Sequence, residues 1–393
     1  MATLSQTSLQ LRKVILGFLI FAGVLLLIDT ASKFLNSPAN PFITVGSFYL
    51  APSGFSGVTL PEPVIASKAI AESSNPSFVT EGVFATFPDT ALVYKVERPT
   101  QKLNTVENAV QTSTTLGFIG NGTEATQGIL TWQNSSGTRN LSFNIVDHIW
   151  SMTTQYFQDV DALQAKTMDA SISTYESAGR RLVTTLGFSS ESMQSPNVIA
   201  KFAKLGTNGL FTNPANSAQA DYVVIDVQRN LTISMIKPTS QLTEVQKQIK
   251  DKPTNLTANV YKEDPRRGSL HVVVSNKAQD FAKDVYEMSF TDFEYTSSYG
   301  VYSILTPSEA WNEILLGNGS LVLLKEQTAD YFADSQVLEV SRFRATATET
   351  ELAYFEPNTW EGYVYPIYIF RGRAELVSGK TADFVFYVDA IRR

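Results

Sequence analysis

TPSEAWNEILLGNGSLVLL, residues 306–324, sets a capped helix directly before a strand. Thr306 suits an N-cap, Pro307 the first helical position, and Glu309 the acid that closes a capping box. Gly317-Asn318-Gly319 then ends the helix and turns the chain into the apolar run at 320–324. Three strand-like runs follow: VLEVSRFRATATETELAYF (337–355), YVYPIYIFRGRAEL (363–376) and ADFVFYVDAI (382–391). A helix followed by strands that return through short connections predicts an α+β fold.

The same pattern appears upstream. In residues 100–116, Leu103, Val106, Val110 and Leu116 fall near helical spacing. ILTWQ (129–133) and RNLSFNIV (139–146) follow, and in the latter Leu141, Phe143 and Ile145 alternate with polar residues, as in a half-buried strand. A second helical stripe covers about 159–186 through Val160, Leu163, Met168, Ile172 and Tyr175. Both helical stretches end in TTLGF, at 114–118 and again at 184–188. A glycine in the left-handed conformation with a phenylalanine packing back would cap each. A shared capping solution and a duplicated α+β unit both account for the repeat. YVVIDVQ (222–228) and LHVVV (270–274) read as strands. The expected organisation is a first α+β domain over 64–157, a connecting helix over 158–186, and a second, strand-rich α+β domain over 187–393.

The N-terminus carries a different signal. VILGFLIFAGVLLLI (14–28) holds no charge, and Arg12 and Lys13 stand directly before it. At 1.5 Å per residue the run spans about 22 Å, so a helix must extend through Leu35 to cross a core of about 30 Å. The cations place residues 1–13 in the cytoplasm and residues beyond 35 outside. A cleaved signal peptide and a buried core helix are the competing readings. Residues 36–63 are rich in Pro and Gly and read as a linker. The expected fold class is therefore one N-terminal transmembrane helix followed by two exported α+β domains, each a helix with an antiparallel sheet.

Composition narrows the function. Lys+Arg number 31 against 38 Asp+Glu, a net charge of −7. Such a chain is a poor partner for nucleic acid. There is no cysteine, which excludes disulfides, thiolate metal sites and a cysteine nucleophile. An exported chain of this size without cysteine fits a bacterial envelope. His148 and His271 are the only histidines. Asp147-His148, Ser234…Lys237, the Gly117–Gly122 loop and the Asp159/Asp161 pair each imitate a functional motif. Each lacks the nucleophile, helical face, strand–loop–helix order or ligand count its chemistry requires. No catalytic residue, metal or cofactor is expected. The binding candidates are Tyr354, Trp360, Tyr363 and Tyr365, because NTWEG (358–362) reads as an exposed connection and aromatic side chains anchor partners.

The last hundred residues, with SEAW, ELAYFEP, YVYPIYIFRG and DFVFYVDAI in that order, resemble the PepSY-like units of YycH- and YycI-type single-pass envelope proteins. That resemblance implies a membrane-anchored extracytoplasmic regulator that acts by protein contact, on a sensor kinase or other envelope machinery, without catalysis. The alternatives are an envelope hydrolase using paired carboxylates on cell-wall polysaccharide, and a structural protein assembling through its sheet edges.

Overall fold

The computed structural model describes residues 43–45, 48–50, 60–67, 70–71, 75–164, 171–188, 190–235, 254–275 and 281–393. Strand pairing organises them, and they are mostly sheet. The four helices among the described residues are α1 (Thr105–Thr115), α2 (Val160–Leu163), α3 (Ile172–Thr185) and α4 (Pro307–Leu315).

This corrects the expected fold class. The predominantly β chain does not divide into two helix-plus-sheet domains at 158–186. A single nine-stranded sheet draws strands from both sides of that boundary, and a ten-stranded sheet holds most of the rest. Among the described residues no helix is long and apolar enough to cross a membrane. Residues 14–35, on which the anchor expectation falls, lie outside the described residues.

The nine-stranded sheet is antiparallel throughout. Its order shows two similar halves. Helix α1 precedes the strands Thr123–Thr126, Ile129–Gln133, Arg139–Asn144 and Ile149–Thr154; helix α3 precedes Asn197–Leu205, Tyr222–Gln228, Leu270–Ser275 and Val285–Thr291. The last strand of each half pairs with the other at the centre, where Ser151 faces Ser289 and Met152 faces Met288. The halves are thus related by a pseudo-two-fold axis through that pair. Each TTLGF ends its helix at the same point. Gly117 (φ 90°) and Gly187 (φ 78°) are left-handed. The Phe118 N–H donates to Ser113 O at 2.9 Å, and the Phe188 N–H to Val183 O at 2.8 Å. Both are Schellman caps. The two ends meet where Thr112 Oγ1 donates to Leu186 O at 3.1 Å.

Alternation along the strands separates two faces. Val223, Ile225 and Val227 join Tyr175, Leu182, Ala109, Trp150 and Phe290 in the core beneath the helices. A Cβ at Gly179 of α3 would stand 2.7 Å from Ile225 Cγ2, so the helix rests directly on the sheet. Tyr222, Val224 and Val273 face the other way, into a smaller cluster with Tyr156, Tyr286 and Phe211.

Besides the passage from Thr90–Glu97 through α1 to Thr123–Thr126, three segments cross between the sheets. Strand Tyr222–Gln228 continues through Arg229 into Asn230–Met235 of the second sheet; Thr254–Tyr261 returns to Leu270–Ser275; Val285–Thr291 continues into Glu294–Ser303. At this seam Arg229 and Glu356 are both fully buried, and Lys262 is nearly so. Glu356 accepts from Tyr295 and ion-pairs with Lys262 and Arg229. Arg229 also donates to Phe293 O at 2.9 Å and Thr291 O at 2.6 Å. The second sheet is built on the long strand Tyr363–Leu376, with Trp311 and Ile314 of α4 packed in its core.

Candidate functional site

The outer face of the nine-stranded sheet carries a polar row. Cross-strand register aligns Asp226, His271, Ser289, Ser151, Ser142, Thr131 and Thr123. Directly paired residues share a face, so these side chains stand in one line across seven strands. Toward Thr123 the row opens into a recess of about 770 Å³ lined by Thr131, Gln133, Asn140, Ser142 and Thr153, with the Gly120–Gly122 loop at its rim. Its polar lining is uncharged.

Toward Asp226 the row enters a second cavity, of about 390 Å³. Four segments build it, one of them the 208–212 hairpin with Asn208 and Phe211. The sheet supplies Val224, Asp226, His271 and Glu287; the 264–267 turn supplies Asp264, Arg266 and Arg267; and the second sheet sends residues 330–334 across the seam as a strap. Phe332 anchors the strap against Phe211, their rings 6.2 Å apart. Arg266 holds it, donating to Tyr331 O and Ala333 O at 2.7 Å each while gripping Asp264 with two nitrogens.

Asp226 and His271 are buried, 4% and 5% exposed. Asp226 Oδ1 accepts from the Gly268 N–H at 2.9 Å and lies 3.0 Å from His271 Nδ1. Arg267 closes on His271 Nε2. A guanidinium only donates, so Nε2 is the acceptor and Nδ1 carries the proton that Asp226 receives. That tautomer is assigned from the hydrogen-bond network. The arrangement fixes the imidazole from both sides. A histidine so committed leaves no free ring nitrogen to serve as a base. Burial, with the nearby Asp226 charge second, raises the Tyr331 phenol to about 12.

The four aromatic candidates separate. Tyr354 is fully buried, its hydroxyl donating to Leu92 O at 2.8 Å, and Tyr365 is 2% exposed. They belong to the core because both strands that carry them lie inside the second sheet. Tyr363 is half-buried beside Tyr365, ring centroids 6.1 Å apart. Trp360 is 39% exposed at the loop tip. Its Nε1–H donates to Val96 O at 3.1 Å, and the Arg98 guanidinium lies 5.8 Å from its ring.

The other motifs have structural roles here. His148 sits in the turn after Arg139–Asn144 at φ 51°, and burial lowers its pKa. Asp159 is a buried N-cap that accepts from the Ala162 N–H and from two nitrogens of Arg139. Lys237 lies outside the described residues.

Sequence reasoning passed over the Asp226–His271 pair. The signal was present: Asp226 is the one charge in YVVIDVQ and His271 the one imidazole in LHVVV. Only strand register sets them side by side.

No family model matches the chain, and no curated protein matches it. Among solved structures, an uncharacterised protein from Eubacterium rectale aligns over 81% of this chain and 90% of its own, at 10% identity and a TM-score of 0.32. A likeness that low carries no argument about this chain.

Proposed function

We propose that this chain is a binding and regulatory module of a bacterial envelope. Residues 14–35 hold it at the membrane, and its exported part acts through protein contact rather than catalysis. The observation that carries the reading is the Trp360 tip. The indole is seated by one hydrogen bond to Val96 O, flanked by Arg98, and still 39% exposed. Trp, Arg and Tyr are the side chains most enriched where binding energy concentrates, and Trp360 with Arg98 brings two of them to one place. The apolar run behind Arg12-Lys13 supports the membrane location, and the order of motifs in the last hundred residues supports kinship with PepSY-like regulators.

Crosslinking and capture from native membranes, with the full chain as bait, tests this. Trp360→Ala should weaken capture of an envelope protein by about 2 kcal/mol, roughly thirtyfold, with thermal unfolding little changed. Unchanged capture with a lowered melting temperature would reassign Trp360 to packing.

A further inference from the structure

We infer that Lys262 Nζ and Glu356 Cδ condense into an amide, so that the seam between the sheets carries an internal covalent cross-link. Register brings the two residues together. Strands Thr254–Tyr261 and Glu351–Phe355 run parallel, with Val260 opposite Tyr354 and Tyr261 opposite Phe355. The next pair along is Lys262 and Glu356, and the Glu356 N–H still donates to Tyr261 O at 2.9 Å. Their side chains meet as a buried ion pair, which is the state before the reaction.

The two carboxylate oxygens of Glu356 are not equivalent. Oε2 accepts from the Tyr295 hydroxyl and lies 3.5 Å from Arg229 Nε. Oε1 has no hydrogen-bond partner; it lies against Lys262 Nζ out of hydrogen-bonding alignment. Acyl transfer uses such an asymmetry. A donor and a positive charge stand on the oxygen that stays and takes up charge as the carbon becomes tetrahedral, and the nucleophile stands beside the oxygen that leaves.

Lys262 is oriented as well. Its Nζ donates to Thr291 Oγ1 at 3.2 Å and to Pro357 O at 3.4 Å, and it lies 5.7 Å from the centre of the Phe293 ring. The remaining position on the nitrogen, a proton in the ammonium and the lone pair in the amine, is left for Glu356. Burial favours the amine, against the pull of the Glu356 charge.

The step is a dehydration that balances within the pair. One proton passes from Nζ to Oε1, which turns the ion pair into an amine and a carboxylic acid. The Nζ–Cδ bond forms and the Cδ–Oε1 bond breaks. Oε1 leaves as water, with that proton and a second one from Nζ. No other reagent enters. Burial makes both starting charges costly, and groups fixed in contact react at effective concentrations of roughly 10⁵ M or more. Arg229 keeps its bonds to Phe293 O and Thr291 O, and Oε2 remains beside it as the amide oxygen.

Mass spectrometry of the purified full chain, denatured and digested with trypsin, tests the proposal. Lys262 acylated on Nζ is no longer a cleavage site. The peptide that contains it should therefore appear uncut and joined to residues 345–371, lighter than the sum of the two by one water. In Lys262→Arg, residues 345–371 should appear alone at their full mass. Should that variant fail to fold, the wild-type digest decides by itself. Wild-type peptides cut at Lys262, with residues 345–371 at full mass, would leave an ion pair only and overturn the assignment. A water lost within residues 345–371, with no Lys262 peptide attached, would overturn it equally.

Discussion

Glu356 Oε2 lies 3.5 Å from Arg229 Nε, and both side chains are fully buried. Glu356 follows a strand of the second sheet, and Arg229 links the first sheet to the second. Their contact, with Lys262 on the other carboxylate oxygen, is the electrostatic hinge-point of the seam. Burial holds the Lys262 ammonium below its ordinary pKa, against the opposing pull of Glu356.

Removing Glu356 leaves two buried cations without their carboxylate. Glu356→Gln should destabilise the chain by about 3 kcal/mol or more, measured by urea unfolding. Adding Lys262→Met should recover part of that loss, because one of the stranded charges goes with it. A double variant no more stable than the single one would show that Lys262 does not depend on Glu356.

Asp159 supplies a pH prediction. Burial alone would raise its carboxyl, but hydrogen bonds from Arg139, Thr138 and the Ala162 N–H outweigh it and hold the pKa down at about 2, from an ordinary 3.8. A folded pKa below the unfolded one gives stability that is present above the ordinary value and lost as pH falls through the folded one. Roughly 2 kcal/mol should therefore disappear between about pH 4 and pH 2. In Asp159→Asn that increment should be absent already at neutral pH, so the unfolding free energies of variant and wild type should converge as the solution is acidified. Parallel curves across that range would contradict the assignment.

The paired caps make a symmetric prediction. Gly117→Ala and Gly187→Ala each force a Cβ into the left-handed region, and neither site meets a close backbone neighbour. Each should cost about 1–2 kcal/mol by backbone conformation alone. Because Thr112 bonds to the carbonyl of Leu186, beside the second cap, the double variant should depart from additivity if the helix ends move together. Chemical denaturation of the two singles and the double reads this directly.

Gly179 tests the helix–sheet contact. An added Cβ meets Ile225 Cγ2 at 2.7 Å and Val198 Cγ1 at 2.9 Å, both in a packed core. Gly179→Val should lift α3 and cost about 1–3 kcal/mol. Pairing it with Ile225→Ala should restore part of the loss in the same unfolding measurement.

Much of the local structure was legible in the sequence because its causes are local. The capping box forms as the residues predict: Thr306 N donates to Glu309 Oε2 at 2.7 Å, and Glu309 N to Thr306 Oγ1 at 3.3 Å. TTLGF marks two helix ends because the left-handed glycine and the returning N–H are neighbours in the chain. Alternation of Leu141, Phe143 and Ile145 gave the strand and its buried face. Nothing local says which strands pair. The central Met152–Met288 register joins residues far apart in sequence, and it brings strands from both expected domains into one sheet.

The candidate sites divide along the same line. The exposed tryptophan was readable because Pro357 and Gly362 bracket it, and bracketing is a chain property; Gly362 is indeed left-handed at φ 82°. Tyr354 and Tyr365 were not distinguishable from it in the sequence, because burial inside a sheet depends on the strands added on either side. By itself the sequence determined charge, the absence of thiol chemistry, helix ends and strand faces, all of which follow from composition or from contacts within a few residues. Tertiary structure alone decided that Asp226 meets His271, that Glu356 meets Arg229, and that a strap from one sheet roofs a cavity on the other. Those pairings come from β register and chain crossing, whose free energy lies in contacts between segments that the sequence keeps far apart.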